Sequence, residues 1–221
     1  MKIRNVLTGI VALGVLPAIA GAAETRVVVE QPRAQQTLQV GGGVNTFTRG
    51  FDGVTKPGAA YDVRAAFGVR NPLGLEIAYI GALNDLKGTS TSVSPSGASI
   101  DTNGDRLMQN GGEALLRLNL GGNGDVIPYV GAGLGVTDSR IVDQNGNTVA
   151  IKSGGSGPAF DGNSTDLHVP AAAGVDAFIG DRVTLGARAA YKYDFGNGLR
   201  SDVAKADIQS WQATARLGVA F

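Results

Sequence analysis

The chain has 221 residues, with 19 basic and 19 acidic side chains, 34 glycines, 8 prolines and no cysteine. The lack of cysteine excludes a disulfide scaffold and a thiolate metal site, and the balanced charge offers no basic surface for nucleic acid. Beyond the amino-terminal region no segment approaches 18 uninterrupted apolar residues, which argues against a helical membrane protein and leaves strand alternation as the pattern to read.

Lys2 and Arg4 precede an apolar run from Val6 to Leu16, then Pro17 and the small-residue stretch Ala18 to Ala23. This order predicts a secretory signal peptide over residues 1–22, cleaved after Ala22 or Ala23. The run is shorter than the ~20 apolar residues of a membrane-spanning helix, and Pro17 interrupts it. Removing Lys2 and Arg4 leaves 17 basic against 19 acidic residues, a net charge of −2. No cysteine follows the cleavage region to carry a lipid. Residues 23–36 are polar apart from Val27, Val28 and Val29, and read as a short periplasmic leader.

Residues 37–221 read as one domain of eight strands, each near the 9–11 residues a membrane-spanning strand needs. In the first, Leu38, Val40, Gly42 and Val44 share one face and Gln39, Gly41, Gly43 and Asn45 the other. In the second, Tyr61, Val63, Ala65, Phe67 and Val69 oppose Asp62, Arg64, Ala66, Gly68 and Arg70. After the Asn71-Pro72 turn signal, Leu73, Leu75, Ile77 and Tyr79 alternate with Gly74, Glu76 and Ala78. The fourth strand directs Ala114, Leu116, Leu118 and Leu120 outward and Glu113, Arg117 and Asn119 inward, with Leu115 breaking the pattern. The fifth, Val126 to Val136, is so rich in glycine that its facing is open. The sixth sets Val169, Ala171, Ala173, Val175, Ala177 and Ile179 outward and His168, Ala172, Gly174 and Asp176 inward. The seventh sets Val183, Leu185, Ala187, Ala189, Tyr191 and Tyr193 against Thr184, Gly186, Arg188, Ala190 and Lys192. The eighth sets Trp211, Ala213, Ala215, Leu217, Val219 and Phe221 against Gln212, Thr214, Arg216 and Gly218.

Short turns near residues 70–73, 121–125 and 180–182 alternate with long polar connections near 48–59, 82–110, 137–166 and 194–209. That asymmetry, and aromatic residues at strand ends (Tyr61, Tyr79, Tyr191, Tyr193, Trp211, Phe221), fit a barrel with short periplasmic turns, long outer loops and interfacial girdles. The predicted fold is all-β, an eight-stranded antiparallel transmembrane β-barrel. A soluble sandwich also alternates, but it does not account for an apolar outward face on every strand backed by charge on the other.

With its signal peptide, the run Pro128-Tyr129-Val130-Gly131-Ala132-Gly133-Leu134-Gly135, the run Gly174-Val175-Asp176-Ala177 and Phe221 closing an alternating last strand, the chain resembles the small outer-membrane β-barrel proteins, the OmpA-like or porin-like barrel domains. The resemblance spans residues 37–221. It implies an outer-membrane location, contact with outer-membrane lipids, and delivery by the barrel assembly machinery, for which Phe221 would be part of the signal. The chain departs from full-length OmpA in stopping at the last strand, so wall tethering by a peptidoglycan-binding domain is not expected.

The inward charges Arg64, Glu76, Arg117, Asp176, Arg188 and Arg216 lie about four to seven residues from their periplasmic ends, at a common expected height in the lumen, and the inward Glu113 is read as a further member of the same charge network. An eight-stranded barrel is just wide enough for side chains to fill, and buried charges must pair. A structural plug is the expectation, with a narrow ion path through the same residues as the alternative. His168 is the sole histidine. Barrels of this size include lipid A deacylases, whose histidine is followed two places on by serine; here the run is His168-Val169-Pro170, so the nucleophile is missing and a solvated or hydrogen-bonded rim histidine is expected instead. Asp101 to Asp105, and Asp143, Asn145 and Asn147, superficially resemble calcium loops. The first has Arg106 and Gly112 where glycine and glutamate belong, and Asn-Gly turns explain both. Gly41-Gly42-Gly43 and Gly154-Gly155-Ser156-Gly157 precede no helix that could cradle phosphate. The sequence therefore predicts a non-enzymatic monomer without cofactor or metal, whose outer loops meet an extracellular ligand, with a small-solute pore or a lipid A-modifying enzyme as alternatives.

Overall fold

The computed structural model describes residues 34–53, 55–87, 91–93, 98–100, 104–121, 124–143, 145–148, 151–152, 158–160, 163–180, 182–195 and 208–221. The expected signal peptide (residues 1–22) and most of the expected leader (23–36) lie outside the described residues. The strands are β1 (Gln36–Arg49), β2 (Gly58–Phe67), β3 (Leu73–Asp85), β4 (Thr91–Val93), β5 (Ala98–Ile100), β6 (Arg106–Asn119), β7 (Val126–Val142), β8 (Ile151–Lys152), β9 (Pro158–Phe160), β10 (Asn163–Ile179), β11 (Val183–Asp194) and β12 (Ile208–Ala220). The eight long strands close a barrel in the order β1-β12-β11-β10-β7-β6-β3-β2, every neighbour antiparallel. The short strands make two hairpins, β4 with β5 and β8 with β9, within the second and third outer connections.

Closure is what the composition requires. No strand edge is left open in the barrel, and only a closed sheet satisfies every backbone group inside a bilayer. The seam between first and last strands is stitched by Gln36 N donating to Phe221 O at 3.1 Å and Phe221 N donating to Gln36 O at 3.0 Å. The ladder between β7 and β10 lapses at Val169 and Pro170, where Pro170 has no N–H to give.

The outward face is apolar. On β7 it runs through Val126, Pro128, Val130, Ala132, Leu134 and Val136, then turns polar at Asp138. Eleven residues on a strand tilted by about 40° give a band about 25 Å tall, the thickness of an outer-membrane hydrocarbon layer. Leu38, Leu75, Ile77, Leu116, Leu118, Leu185, Trp211, Leu217 and Phe221 are all exposed on the same face.

Three expectations are corrected. Val69 does not continue the outward face of β2: that strand ends at Phe67, and Gly68 takes a φ of 67°. The turn swings Val69 under the barrel, where it packs with Ala66, Ile127, Phe178 and Ala220 as an apolar cluster closing the end that carries the short turns. Leu115 keeps strict alternation and points inward, against Ala172 and Ala190. The outer connections are also shorter than expected, because β3, β6, β7 and β10 extend to Asp85, Arg106, Val142 and Asn163, past the apolar band whose contrast guided their reading.

Candidate functional site: the charged layer of the lumen

Alternation on the closed barrel turns Arg64, Glu76, Glu113, Arg117, Asp176, Arg188 and Arg216 into the lumen, and all seven are buried. They form two linked tiers instead of one layer. In the lower tier Arg64 Nη1 donates to Glu76 Oε1 at 2.6 Å. Arg117 bridges Glu76 Oε2 at 3.4 Å and Asp176 Oδ2 at 2.7 Å, and Arg216 Nη2 lies 3.5 Å from Asp176 Oδ1. In the upper tier Arg188 Nη2 donates to Glu113 Oε2 at 3.1 Å, with Lys192 Nζ 3.7 Å and His168 Nε2 3.3 Å from Glu113 Oε1. Arg64 to Glu113 at 3.7 Å and Arg188 to Glu76 at 3.6 Å join the tiers.

Glycine makes this possible. An eight-stranded barrel has no spare width, yet an arginine must extend across it. The ladder seats Arg117 between Gly74 and Gly131, and Arg216 between Gly41 and Gly186. A Cβ on Gly41 would come within 2.6 Å of Arg216 Cγ and 2.9 Å of Asp62 Oδ1. The high glycine content is thus in part the space the charged layer occupies.

Four participants were absent from the expected set. Tyr129 lies in the lumen with Arg117 Cζ 3.7 Å from its ring centroid, and its hydroxyl accepts from Arg216 Nη2 at 2.6 Å. A guanidinium stacked on a buried ring is favourable by roughly 1–2 kcal/mol. Asp62 lies 3.1 Å from Arg64 Nε, Gln39 Nε2 donates to Asp176 Oδ1 at 3.1 Å, and Lys192 joins Glu113. The signal for Tyr129 was present: Gly131, Gly133 and Gly135 alternate with Ala132, Leu134 and Val136, so the glycine face must be the crowded inner one, and Tyr129 shares it.

His168 is wholly buried in the lumen, away from the rim where it was expected. Its Nδ1 lies 3.1 Å from Thr137 Oγ1 and its Nε2 faces Glu113. Gly135 leaves room for the ring, since a Cβ there would sit 2.3 Å from Nε2. A histidine so placed is turned away from lipid, and both ring nitrogens are engaged. Among the described residues no group of three or more His, Asp or Glu is arranged around a metal position. Asp143 Oδ1 accepts the backbone N–H groups of Asn145 and Asn147 at 2.8 Å each, which holds its carboxyl below the usual range and makes the run an Asx-type turn. Asp101, Thr102, Asn103 and the Gly154–Gly157 run lie outside the described residues.

A closed eight-stranded antiparallel barrel with an apolar band outside and paired charge inside defines an integral outer-membrane protein. Residues 8–221 match the family described as outer membrane protein beta-barrel domain, and the chain belongs to that family. Its fold is similar to that of Neisserial surface protein A, with 17% identity, 86% of this chain and 100% of that chain covered, and a TM-score of 0.51. The attachment invasion locus protein Ail of Yersinia pestis aligns at 13% identity over 86% of this chain and 100% of its own, with a TM-score of 0.46. The N-terminal barrel domain of Pseudomonas aeruginosa OprF aligns at 14% identity over the same shares, with a TM-score of 0.45. No curated protein matches the chain. The protein is located in the outer membrane.

Proposed function

We propose that the protein is a plugged, non-enzymatic anchor that acts as a monomer and presents its outer loops at the cell surface, where they meet an extracellular ligand. The observation that carries the reading is the two-tier charged layer, in which Arg64, Arg117, Arg188 and Arg216 are each within 4.0 Å of a carboxylate oxygen, underlain by the apolar cluster of Val69, Ile127 and Phe178. A lumen filled by salt bridges and sealed below by hydrocarbon gives rigidity, not a solute path. Stability then resides in the barrel, and recognition falls to the connections beyond it. The exposed ring of Phe221, just past the closing strand, supports its reading as a contact for the assembly machinery, and the apolar band supports outer-membrane lipids as the standing partner.

Orientation is the test. An epitope inserted in the connection between β7 and β10, at the Asp143 to Asn147 turn, should be bound by antibody on intact cells. The same epitope between β6 and β7 should be bound only after permeabilisation. The reverse pattern would refute surface presentation by these loops.

A further inference from the structure

Three arginines of the charged layer rise from one half of the barrel, β11-β12-β1-β2, and reach toward the other. Arg64 on β2 bonds Glu76 on β3 at 2.6 Å, Arg188 on β11 bonds Glu113 on β6 at 3.1 Å, and Arg216 on β12 bonds Tyr129 on β7 at 2.6 Å. Behind them lies the wall of β12, β1 and β2, where β1 contributes no side chain at the inward positions Gly41 and Gly43.

Four polar side chains line that wall. The β1–β12 register sets Asn45 opposite Gln212 and Gly43 opposite Thr214, and the β1–β2 register sets Gly41 opposite Asp62. Directly opposed residues stand about 5 Å apart and successive inward residues about 7 Å apart. Asp62 Oδ1 reaches back over Gly41, where an added Cβ would come within 2.9 Å of it. Asn45, Asp62 and Gln212 are 1%, 2% and 2% exposed, and Thr214 is 5% exposed.

The protein leaves these side chains short of hydrogen bonds. Among the described residues none reaches Asn45 Oδ1, either carboxylate oxygen of Asp62, Gln212 Nε2 or Oε1, or Thr214 Oγ1. Asn45 Nδ2 is committed to Asn84 Oδ1 at 3.0 Å, so the carbonyl is its free end. Arg64 Nε lies 3.1 Å from Asp62 Oδ1, close enough to balance charge but not aligned to donate. Buried polar atoms are strongly unfavourable when unpaired, and nearly all in folded proteins bond to protein or to ordered water.

The mixture of groups selects the ligand. Asn45, Asp62 and Gln212 offer acceptors, Gln212 Nε2 offers a donor, and Thr214 Oγ1 serves as either. A cation would face Gln212 Nε2 and the Arg64 guanidinium, and an anion would face the Asp62 carboxylate. Water donates, accepts and carries no charge, so it suits every group present.

We propose that the β12–β1–β2 wall holds a buried site for ordered water, which bridges Asn45, Gln212, Thr214 and Asp62 behind the arginines. The lumen filling then has two parts, ion pairs toward β3, β6, β7 and β10 and hydrogen-bonded water against β12, β1 and β2. Water supplies the hydrogen bonds that Arg64 does not give Asp62. This goes beyond the anchor reading and does not depend on what the loops bind.

A crystal structure of the refolded barrel at about 2 Å resolution or better tests the site, because buried water with several partners is ordered. The expected result is water within about 3.2 Å of at least three of the four side chains, with one water joining two of them. Side chains that turn to bond one another with no water between them would overturn the proposal. So would an ion in the site, a cation being recognised by oxygen contacts at about 2.3–2.6 Å. Nuclear magnetic resonance reads the same site in a lipid nanodisc. Water magnetisation should pass to the Gln212 Nε2 protons of the folded wild type, and Thr214→Val, which removes one anchor of the water, should cut that transfer by about half or more. No transfer in the wild type, or an unchanged transfer in a folded Thr214→Val barrel, would refute the bridge. Should Thr214→Val fail to fold, the wild-type transfer decides.

Discussion

Replacing Arg117 with alanine should destabilise the barrel by about 3 kcal/mol or more in reversible urea unfolding, near the lower end of the range for breaking a buried ion pair. Arg117 is bonded to both Glu76 and Asp176 and covers the ring of Tyr129. Its loss leaves two buried carboxylates to the remaining arginines. Arg216, 3.5 Å from Asp176 and 4.0 Å from Glu76, offsets part of that charge, which is why the low end is expected. The sign of a second change checks the cause. If uncompensated charge is the damage, adding Asp176→Asn to Arg117→Ala should recover stability, because Arg117 is the nearest cation to Asp176, whereas two independent packing losses would add. A single variant within about 0.5 kcal/mol of the parent would mean that the layer contributes little to the fold.

One residue earlier on the same strand the physics reverses. Leu116 is 61% exposed and lies at the middle of the outward apolar positions of β6, between Gly112 and Leu120. Leu116→Arg should cost about 2–4 kcal/mol in a lipid bilayer, the penalty for a charge near the midplane of a barrel's lipid face. Leu120→Arg, at the periplasmic edge, should cost about 0–1 kcal/mol because its guanidinium reaches the interface. Unfolding of both variants in vesicles measures the difference. Equal effects at the two positions would be incompatible with the assigned depth of the apolar band.

Adjacent residues with opposite requirements are also what made the fold legible. A strand repeats every two residues, so a contrast between lipid and lumen is written directly into the chain. Wherever it was written in Leu against Arg, as in Leu116-Arg117-Leu118, facing could be read. It was obscured where chemistry and position disagree. Leu115 is apolar yet inward, because Ala172 and Ala190 leave a hydrocarbon-lined space opposite it. Val69 matched the alternation of β2, but a left-handed Gly68 ended the strand, and no periodicity reports a turn of that kind. The ends of β7 and β10 ran on unnoticed because a strand above the bilayer has no lipid to demand an apolar face.

The charged layer was legible as a set of residues, since inward Arg, Asp and Glu stand out against glycine and alanine. Its partition was not. Which arginine meets which carboxylate depends on the stagger between strands, and one step of register moves a side chain along the lumen by several ångströms. The burial of His168 depended likewise on Gly135 lying beside it across the β7–β10 ladder, a pairing between residues 33 apart in sequence.

Single-channel recording tests the plugged lumen most directly. The refolded wild-type barrel, inserted in a planar lipid bilayer and verified as folded, should pass no steady unitary current, because ion pairs fill its middle and Val69, Ile127 and Phe178 close it below. Reproducible conductance steps from the same folded protein would contradict the plug and make the charged layer the lining of a pore.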